Sequence, residues 1–324
     1  MSDFLYARSH WEQAAALHHI ALAAARQAGN RTDQAGALHE LGLIETLTGD
    51  YPAAVASLDQ AVALYRGLDN QPGYAYAVNR LGFVQTLTGD YPAATTSHQQ
   101  ALALARGSGD QLAEATALKM LGFVQQLTGD YSASAANAAG ALALYRSLGH
   151  RQSEADTLND LGTLQTLTGD YVAAGANLQQ ALELFRNLGD RPYQAWALND
   201  LGMVQQLTGD FPGADSHQQA LELFRDLGHR LGQAEALNRL GELSSRTSAT
   251  DQARDQHIRA LAIARDIGVP AEEAHAREGI GRSHLHDGNT SEGTAHLRRA
   301  PTIYQHLKSP SAQRVQQTLD QYRL

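Results

Sequence analysis

Apolar positions along the chain fall into two alternating stripes. Leu38, Leu41 and Ile44 stand at helical spacing, and after a polar break a second stripe runs through Ala54, Leu58, Ala61, Leu64, Tyr65 and Leu68. Steps of three and four residues put each stripe on one face of a helix, so this segment predicts two amphipathic helices joined by a short turn. The pair then recurs. Leu-Gly dipeptides stand at 41–42, 81–82, 121–122, 161–162, 201–202 and 240–241, with Ile280-Gly281 as a worn seventh copy. All but one of the steps up to residue 241 are 40 residues; the exception is 39, with the deletion between Gly209 and Ala220. The helix start of the fifth unit is therefore expected to differ from its neighbours.

The breaks between stripes repeat as well. LTGDY stands at 47–51, 87–91, 127–131 and 167–171, and LTGDF at 207–211. A phosphate loop would need GxxxxGK[ST], which no copy has, and a reaction centre works from one pocket rather than five copies. The motif reads as a turn. Gly49 suits the left-handed residue that ends a helix, and Asp50 can accept from the open N–H groups of the next one. Pro52, Pro92 and Pro212 fall in a first turn, where a missing N–H costs little. The Leu and Tyr of the motif are expected to anchor the two helices. A second turn, LGHR at 148–151 and 227–230 and LGDR at 188–191, repeats the device, with its Arg residues as caps and surface pairs. Gly42, Ala54 and Ala61 are small where two helices must approach to the usual ~8–10 Å between axes.

Composition narrows the function classes. The 324 residues are 43% apolar and 18% charged, which suits a folded chain rather than a disordered one. With no cysteine there are no disulfides, thiolate nucleophiles or Cys-ligated metals, as suits a reducing, cytoplasmic setting. The N-terminus lacks a basic segment followed by an apolar core, and no apolar run reaches the ~18 residues of a membrane span. The net charge of −9, without a cluster of Lys and Arg, argues against direct nucleic-acid binding. The bias to 23 Arg over two Lys speaks of a GC-rich coding genome rather than of a function.

The pattern Leu-x-x-Leu-Gly, then Tyr51, Ala54 and Ala61, resembles the tetratricopeptide repeat (TPR). Leu38 stands where that motif prefers Trp, Glu45 or Gln85 where it prefers Tyr, and the unit has 40 residues rather than 34. These departures resemble the longer repeats of kinesin light chains, LGN-like adaptors and the C-terminal arrays of actinobacterial STAND-type regulators. The resemblance implies an all-α, right-handed superhelix. It divides the chain into a partial repeat at 1–30, six units over 31–268, a degenerate seventh at 269–308 and a capping helix at 309–324. The half-repeat start, and the lack of a Walker lysine or a helix-turn-helix outside the repeats, read as an array excised from a larger regulator or a stand-alone relative of one. Pro301 replaces an expected leucine and should kink the last repeat.

The same resemblance places the first helix of each unit on a concave groove. The position two before the Leu of Leu-Gly then lines it with His39, Asn79, Lys119, Asn159, Asn199 and Asn238. Its four Asn would form an amide ladder able to hold the backbone of a peptide. The position two after, Leu43, Phe83, Phe123, Thr163, Met203 and Glu242, adds a mostly apolar strip, and Tyr76 and Trp196 add aromatic surface. Arg80, Asp160 and Asp200 flank the ladder, with Asp156 and Glu235 nearby; the acidic middle favours a ligand with Lys or Arg at its centre. At ~10 Å per repeat and ~3.3 Å per extended residue, each unit would read about three ligand residues.

A catalytic reading has little support. His275, Glu278, His284, His286 and Asp287 form the one unrepeated polar cluster, but His284 and His286 diverge on a helix, unlike an i,i+4 metal pair. Adjacent His18 and His19 diverge too. No nucleophile triad, phosphate cradle or carboxylate pair emerges outside repeat positions. The sequence thus reads as a non-catalytic protein- or peptide-binding scaffold without cofactor or metal. The alternative is a self-associating spacer that stacks through the ends of the solenoid.

Overall fold

The computed structural model describes residues 2–209, 213–247, 249–306 and 311–322. Every regular element among them is an α-helix. They are α1 (Ser2–Gln27), α2 (Arg31–Thr48), α3 (Tyr51–Gly67), α4 (Gln71–Leu87), α5 (Tyr91–Ser108), α6 (Gln111–Thr128), α7 (Tyr131–Leu148) and α8 (Arg151–Thr168). There follow α9 (Tyr171–Leu188), α10 (Arg191–Thr208), α11 (Gly213–Asp226), α12 (Arg230–Arg246), α13 (Thr250–Asp266) and α14 (Pro270–His286). The last are α15 (Thr290–Leu297), α16 (Ala300–His306) and α17 (Ser311–Gln321). The chain divides into two compact units, residues 1–164 and 165–324. Each is an all-α solenoid of consecutive helix pairs: α2 on α3, α4 on α5 and α6 on α7 in the first, α10 on α11 and α12 on α13 in the second.

The turns form as their residues dictate. Gly49, Gly89, Gly129 and Gly169 all have φ between 81° and 86°, where a side chain would clash with its own backbone. The chain then bonds back from Asp50 N–H to the Glu45 carbonyl at 2.9 Å, closing the last open turn of α2. Asp50, Asp90, Asp130 and Asp170 each accept from the N–H three residues on, so the same aspartate that leaves one helix caps the next. Pro52 and Pro92 fall in first turns as expected. Pro212 and the helix start altered by the 39-residue step lie outside the described residues. Arg191 and Arg230 pair across the surface with Asp226 and Asp266.

Two expectations need correction. The leucine of the LTGD turn does not anchor its helix: Leu47, Leu87, Leu127, Leu167 and Leu207 are between 40% and 56% exposed. Leu47 lies one helical turn beyond Leu43, which is itself only half-buried, so it continues the open side of the helix rather than the buried stripe of Leu41 and Ile44. The last repeat is broken rather than kinked at Pro301. α15 stops at Leu297, a two-residue turn follows, and Pro301 is buried in the first turn of α16. The proline can neither bond the Leu297 carbonyl nor avoid it, so the helix ends there and restarts. Beyond the break, α17 buries Val315 and Leu319 against Leu285, Leu297 and Tyr304.

Within a pair, the contact that sets the spacing is the glycine of Leu-Gly. A Cβ on Gly42 would stand 2.5 Å from Leu58, one on Gly202 2.8 Å from His217, and one on Gly281 2.6 Å from Leu297. At Gly122 the neighbour is the Ser134 carbonyl itself, 3.2 Å from where a Cβ would lie, so two backbones nearly touch. Ala54 and Ala61 are fully buried beside this seam. A Gly122→Leu change should push α6 off α7 and cost about 3 kcal/mol or more, whereas Gly122→Ala should cost about 1–3 kcal/mol. Urea unfolding midpoints of the two variants against wild type check both the sign and the order.

Candidate functional site

The first helices of the pairs carry an open stripe. In residues 1–164 it comprises His39, Glu40, Leu43 and Leu47 on α2, Tyr76, Asn79, Arg80, Phe83 and Leu87 on α4, and Lys119, Phe123 and Leu127 on α6. All are half-buried or exposed, and α2 packs on α4 and α4 on α6, so neighbouring stripes run side by side. Each stripe has a polar upper half and an apolar lower half. The lower half is wider than the sequence suggested, because the exposed turn leucines lie one helical turn beyond Leu43, Phe83 and Phe123.

The polar half is internally tied. Lys119 lies 3.4 Å from Asp160 and 3.9 Å from Asp156. Burial alone would depress the Lys119 ammonium, but the two aspartates together hold it above its ordinary range. Burial, then the charge and hydrogen bond of Asp110, push the Tyr76 hydroxyl up. Burial and the nearby Arg80 lower His39 to about 4.

In residues 165–324 the expected site residues separate. Asp200 and Met203 stay half-buried, while Trp196 packs its ring edge-on against Phe224 at 4.8 Å and against His229 at 5.5 Å, as a wall between helices. Asn199 and Asn238 are 2% and 0% exposed, so these two are core residues rather than open rungs. The reason is a partner that sequence reasoning missed. His217 Nδ1 lies 2.9 Å from Asn199 Oδ1, and His257 Nδ1 3.0 Å from Asn238 Oδ1. On their other side, Asn199 Nδ2 donates to Glu235 at 3.0 Å and Asn238 Nδ2 to Glu272 at 2.8 Å. Both amides are consumed inside the protein. Asn79 makes the same bond to His98, at 2.7 Å, from a half-buried position, and Asn159 is likewise half-buried.

The signal was in the sequence. His98, His217 and His257 each stand three residues before a buried alanine, Ala101, Ala220 and Ala260, where other units carry Leu58 or Leu178. Each imidazole packs on the glycine of its own Leu-Gly. With an asparagine oxygen as acceptor, Nδ1 holds the proton; Nε2 of His98 and of His217 is buried with no acceptor. A second proton would have nowhere to bond, and burial lowers all three to about 4.

Carboxylates gather beside these pairs. Burial, then the charge of Glu272, raises Glu235 to about 7. Burial would raise Glu242 too, but the hydrogen bond from His275 at 2.8 Å and the charges of His275 and Arg239 hold it at about 2. Among the described residues no group of three or more His, Asp or Glu is arranged to hold a metal ion. Glu278 of the HLHD region instead accepts from Tyr304, Arg282 and Arg314, and His284 stacks on His296.

Comparison with known proteins agrees with this architecture. Residues 34–68, 74–147 and 153–217, together more than half of the chain, match the tetratricopeptide-repeat family. The chain belongs to that family, whose stacked repeats form extended surfaces for protein interaction. Among curated proteins none is significantly similar in sequence. Solved structures share the fold at low identity. One is PH0952 of Pyrococcus horikoshii, a Signal Transduction ATPase with Numerous Domains with a tetratricopeptide-repeat sensor. It is 15% identical with a TM-score of 0.71 over 90% of this chain and 44% of that one. The apo form of RapI is 12% identical with a TM-score of 0.70, over 85% of this chain and 99% of that one. The Rap conjugation regulator of plasmid pLS20, in complex with the Phr* peptide, is 14% identical with a TM-score of 0.62, over 86% and 76%. No helix among the described residues is long and apolar enough to cross a membrane.

Acid should test the buried pairs. An unfolded imidazole titrates near 6.5 and these near 4, so between those values the unfolded chain binds more protons. The contribution of these histidines is then full above pH 6.5 and falls as pH drops toward 4, by roughly 3 kcal/mol each, while the raised Glu235 acts in the opposite sense. His98→Leu, the residue the same register carries at position 58, should flatten this slope in urea unfolding measured from pH 7.5 to 4. Asn238→Ala strands His257 and Glu272 and should cost about 1–3 kcal/mol at pH 7; thermal melts check it.

Proposed function

We propose that the chain is a non-catalytic scaffold that binds a protein or extended peptide segment along the open face of its first helices, as the sensor or interaction region of a bacterial regulatory protein. The observation that carries this is the repeated exposure of apolar side chains on that face. Leu47, Leu87 and Leu127 are 52%, 43% and 44% exposed and Phe123 38%, at equivalent places in successive repeats of residues 1–164. Exposed leucine at one place in every repeat is costly unless a partner covers it. The half-buried Asn79, Arg80, Lys119 and Asn159 and the exposed Asp160 border the strip and supply the polar contacts that orient a ligand. His39, Tyr76 and Phe83 complete this face in residues 1–164; in residues 165–324 Asp200 and Met203 occupy the equivalent places on α10, and Asn199, Asn238 and Trp196 the layer beneath the first helices there. The peptide complex of the Rap regulator, a structure of similar fold, supports the class of ligand. Asp156, Asp160, Asp200 and Glu235 favour Lys or Arg in the middle of the partner, and the setting is the cytoplasm. In this reading residues 31–268 form six full repeats, 269–308 a degenerate seventh and 309–324 the cap, behind a partial repeat at 1–30.

A second reading, self-association, draws on α1, where Leu17 and Ile20 are each 67% exposed on one face. Light scattering decides between them: a concentration-dependent dimer abolished by Leu17→Asp/Ile20→Asp favours assembly. For the scaffold, wild type and a Leu87→Ser/Leu127→Ser variant should be compared as baits in native cytosol, with captured proteins read by mass spectrometry. Both replaced side chains are exposed, so helicity should be unchanged. The principal partner should fall tenfold or more with the variant, and equal recovery would overturn the reading.

A further inference from the structure

The second compact unit contains a cavity of about 630 Å³ between α12, α14 and the closing helix α17, with Gln206 of α10 at its edge. That is the volume range of small-ligand sites. Three arginines from three different helices line it: Arg246 of α12, Arg282 of α14 and Arg314 of α17.

Their charge is not balanced locally. Arg282 and Arg314 both bond to one carboxylate, that of Glu278, at 2.9 Å each, so two guanidiniums share one negative charge. Glu278 is buried, whereas the arginine side chains remain 49% and 58% exposed. Arg246 donates from Nη1 to the Gln206 carbonyl at 3.0 Å, and no carboxylate pairs with it among the described residues. The other carboxylate in the wall, Glu242, is bound by His275 and by Arg239. The cavity lining thus sets three arginines against two carboxylates, a surplus of about one positive charge in a chain whose net charge is −9. Three guanidinium forks lining one concave space attract and orient planar or tetrahedral oxyanions. The hydroxyls of Ser245, Ser283 and Thr318 on the same walls donate to the carbonyls of Gly241, Gly279 and Arg314, so the arginines supply the donors for an anion.

We propose that this cavity is a binding site for a multiply charged anionic group, phosphate or paired carboxylates, separate from the apolar partner-binding strip of residues 1–164. Glu278 acts as the internal counter-ion that keeps Arg282 and Arg314 in place when the site is empty. The inference does not rest on the peptide-binding reading, because the residues and the ligand charge differ.

Calorimetric titration of the full chain at low salt tests it, with inorganic pyrophosphate in one arm and tetraglutamate in the other. Arg246→Glu is the informative variant: this side chain is exposed and its loss leaves no buried charge unpaired, so folding should be retained and is checked by circular dichroism. We expect saturable binding by wild type that weakens tenfold or more in Arg246→Glu and falls with added salt. Loss in the pyrophosphate arm alone assigns the site to phosphate; loss in the tetraglutamate arm alone assigns it to carboxylates. No saturable binding of either probe, or equal binding by wild type and Arg246→Glu, overturns the proposal.

Discussion

The close approach of two helices at the glycine of each Leu-Gly is the constraint from which the rest follows. Because Gly42, Gly82, Gly202 and Gly241 admit no Cβ, the second helix of each pair comes near enough to press one side chain directly on backbone. That side chain is Leu58 in one repeat and a histidine in three. Leucine satisfies the site by burial alone. Histidine brings a ring N–H that must be bonded once water is excluded, and an asparagine on the first helix supplies the acceptor. One steric requirement thus selects a second residue on the other helix.

This selection divides the first helices into an inner and an outer layer of polar residues. Where the asparagine turns in to serve a histidine and a carboxylate, as at Asn199 and Asn238, it no longer offers hydrogen bonds to a ligand. The outer layer is then left to the flanking charges and to the apolar stripe. The two compact units consequently present different chemistry from the same repeat. Residues 1–164 offer an apolar strip bordered by Arg80, Lys119 and Asp160. Residues 165–324 offer half-buried carboxylates and an arginine-lined cavity with the buried Glu278 in its wall.

The period, the helix pairs and the capped turns were legible in the sequence because each rests on local rules: spacing of apolar residues, glycine at positive φ, and aspartate at a helix start. The expectation that Phe83, Arg80 and Lys119 line an open face came instead from the resemblance to a repeat family, not from such local rules. What escaped was direction and pairing. Helical rotation at the end of α2 turns Leu47 outward, a difference of one residue from the buried Thr46 that hydropathy alone does not resolve. The His98 partner of Asn79 lies 19 residues away and becomes visible only when the second helix folds back. The break before Pro301 was foreseen as a kink, since the sequence does not say whether neighbouring helices can tolerate a bent axis or force a restart.

The Asn–His bonds also give the array a reading frame. Each one joins the first helix of a repeat to the second helix of the same repeat, across the LTGD turn for Asn79 and Asn199 and across the equivalent turn after Arg246 for Asn238. A recombination event that crossed over at that turn could place a histidine-bearing helix behind a first helix carrying His39 or Lys119, and would bury an imidazole with no acceptor. Crossing over at the LGHR or LGDR turn keeps every such pair intact. Repeats of this chain can therefore be duplicated, lost or grafted as 40-residue cassettes cut at one of their two turns, although both turns look equally suited to cutting.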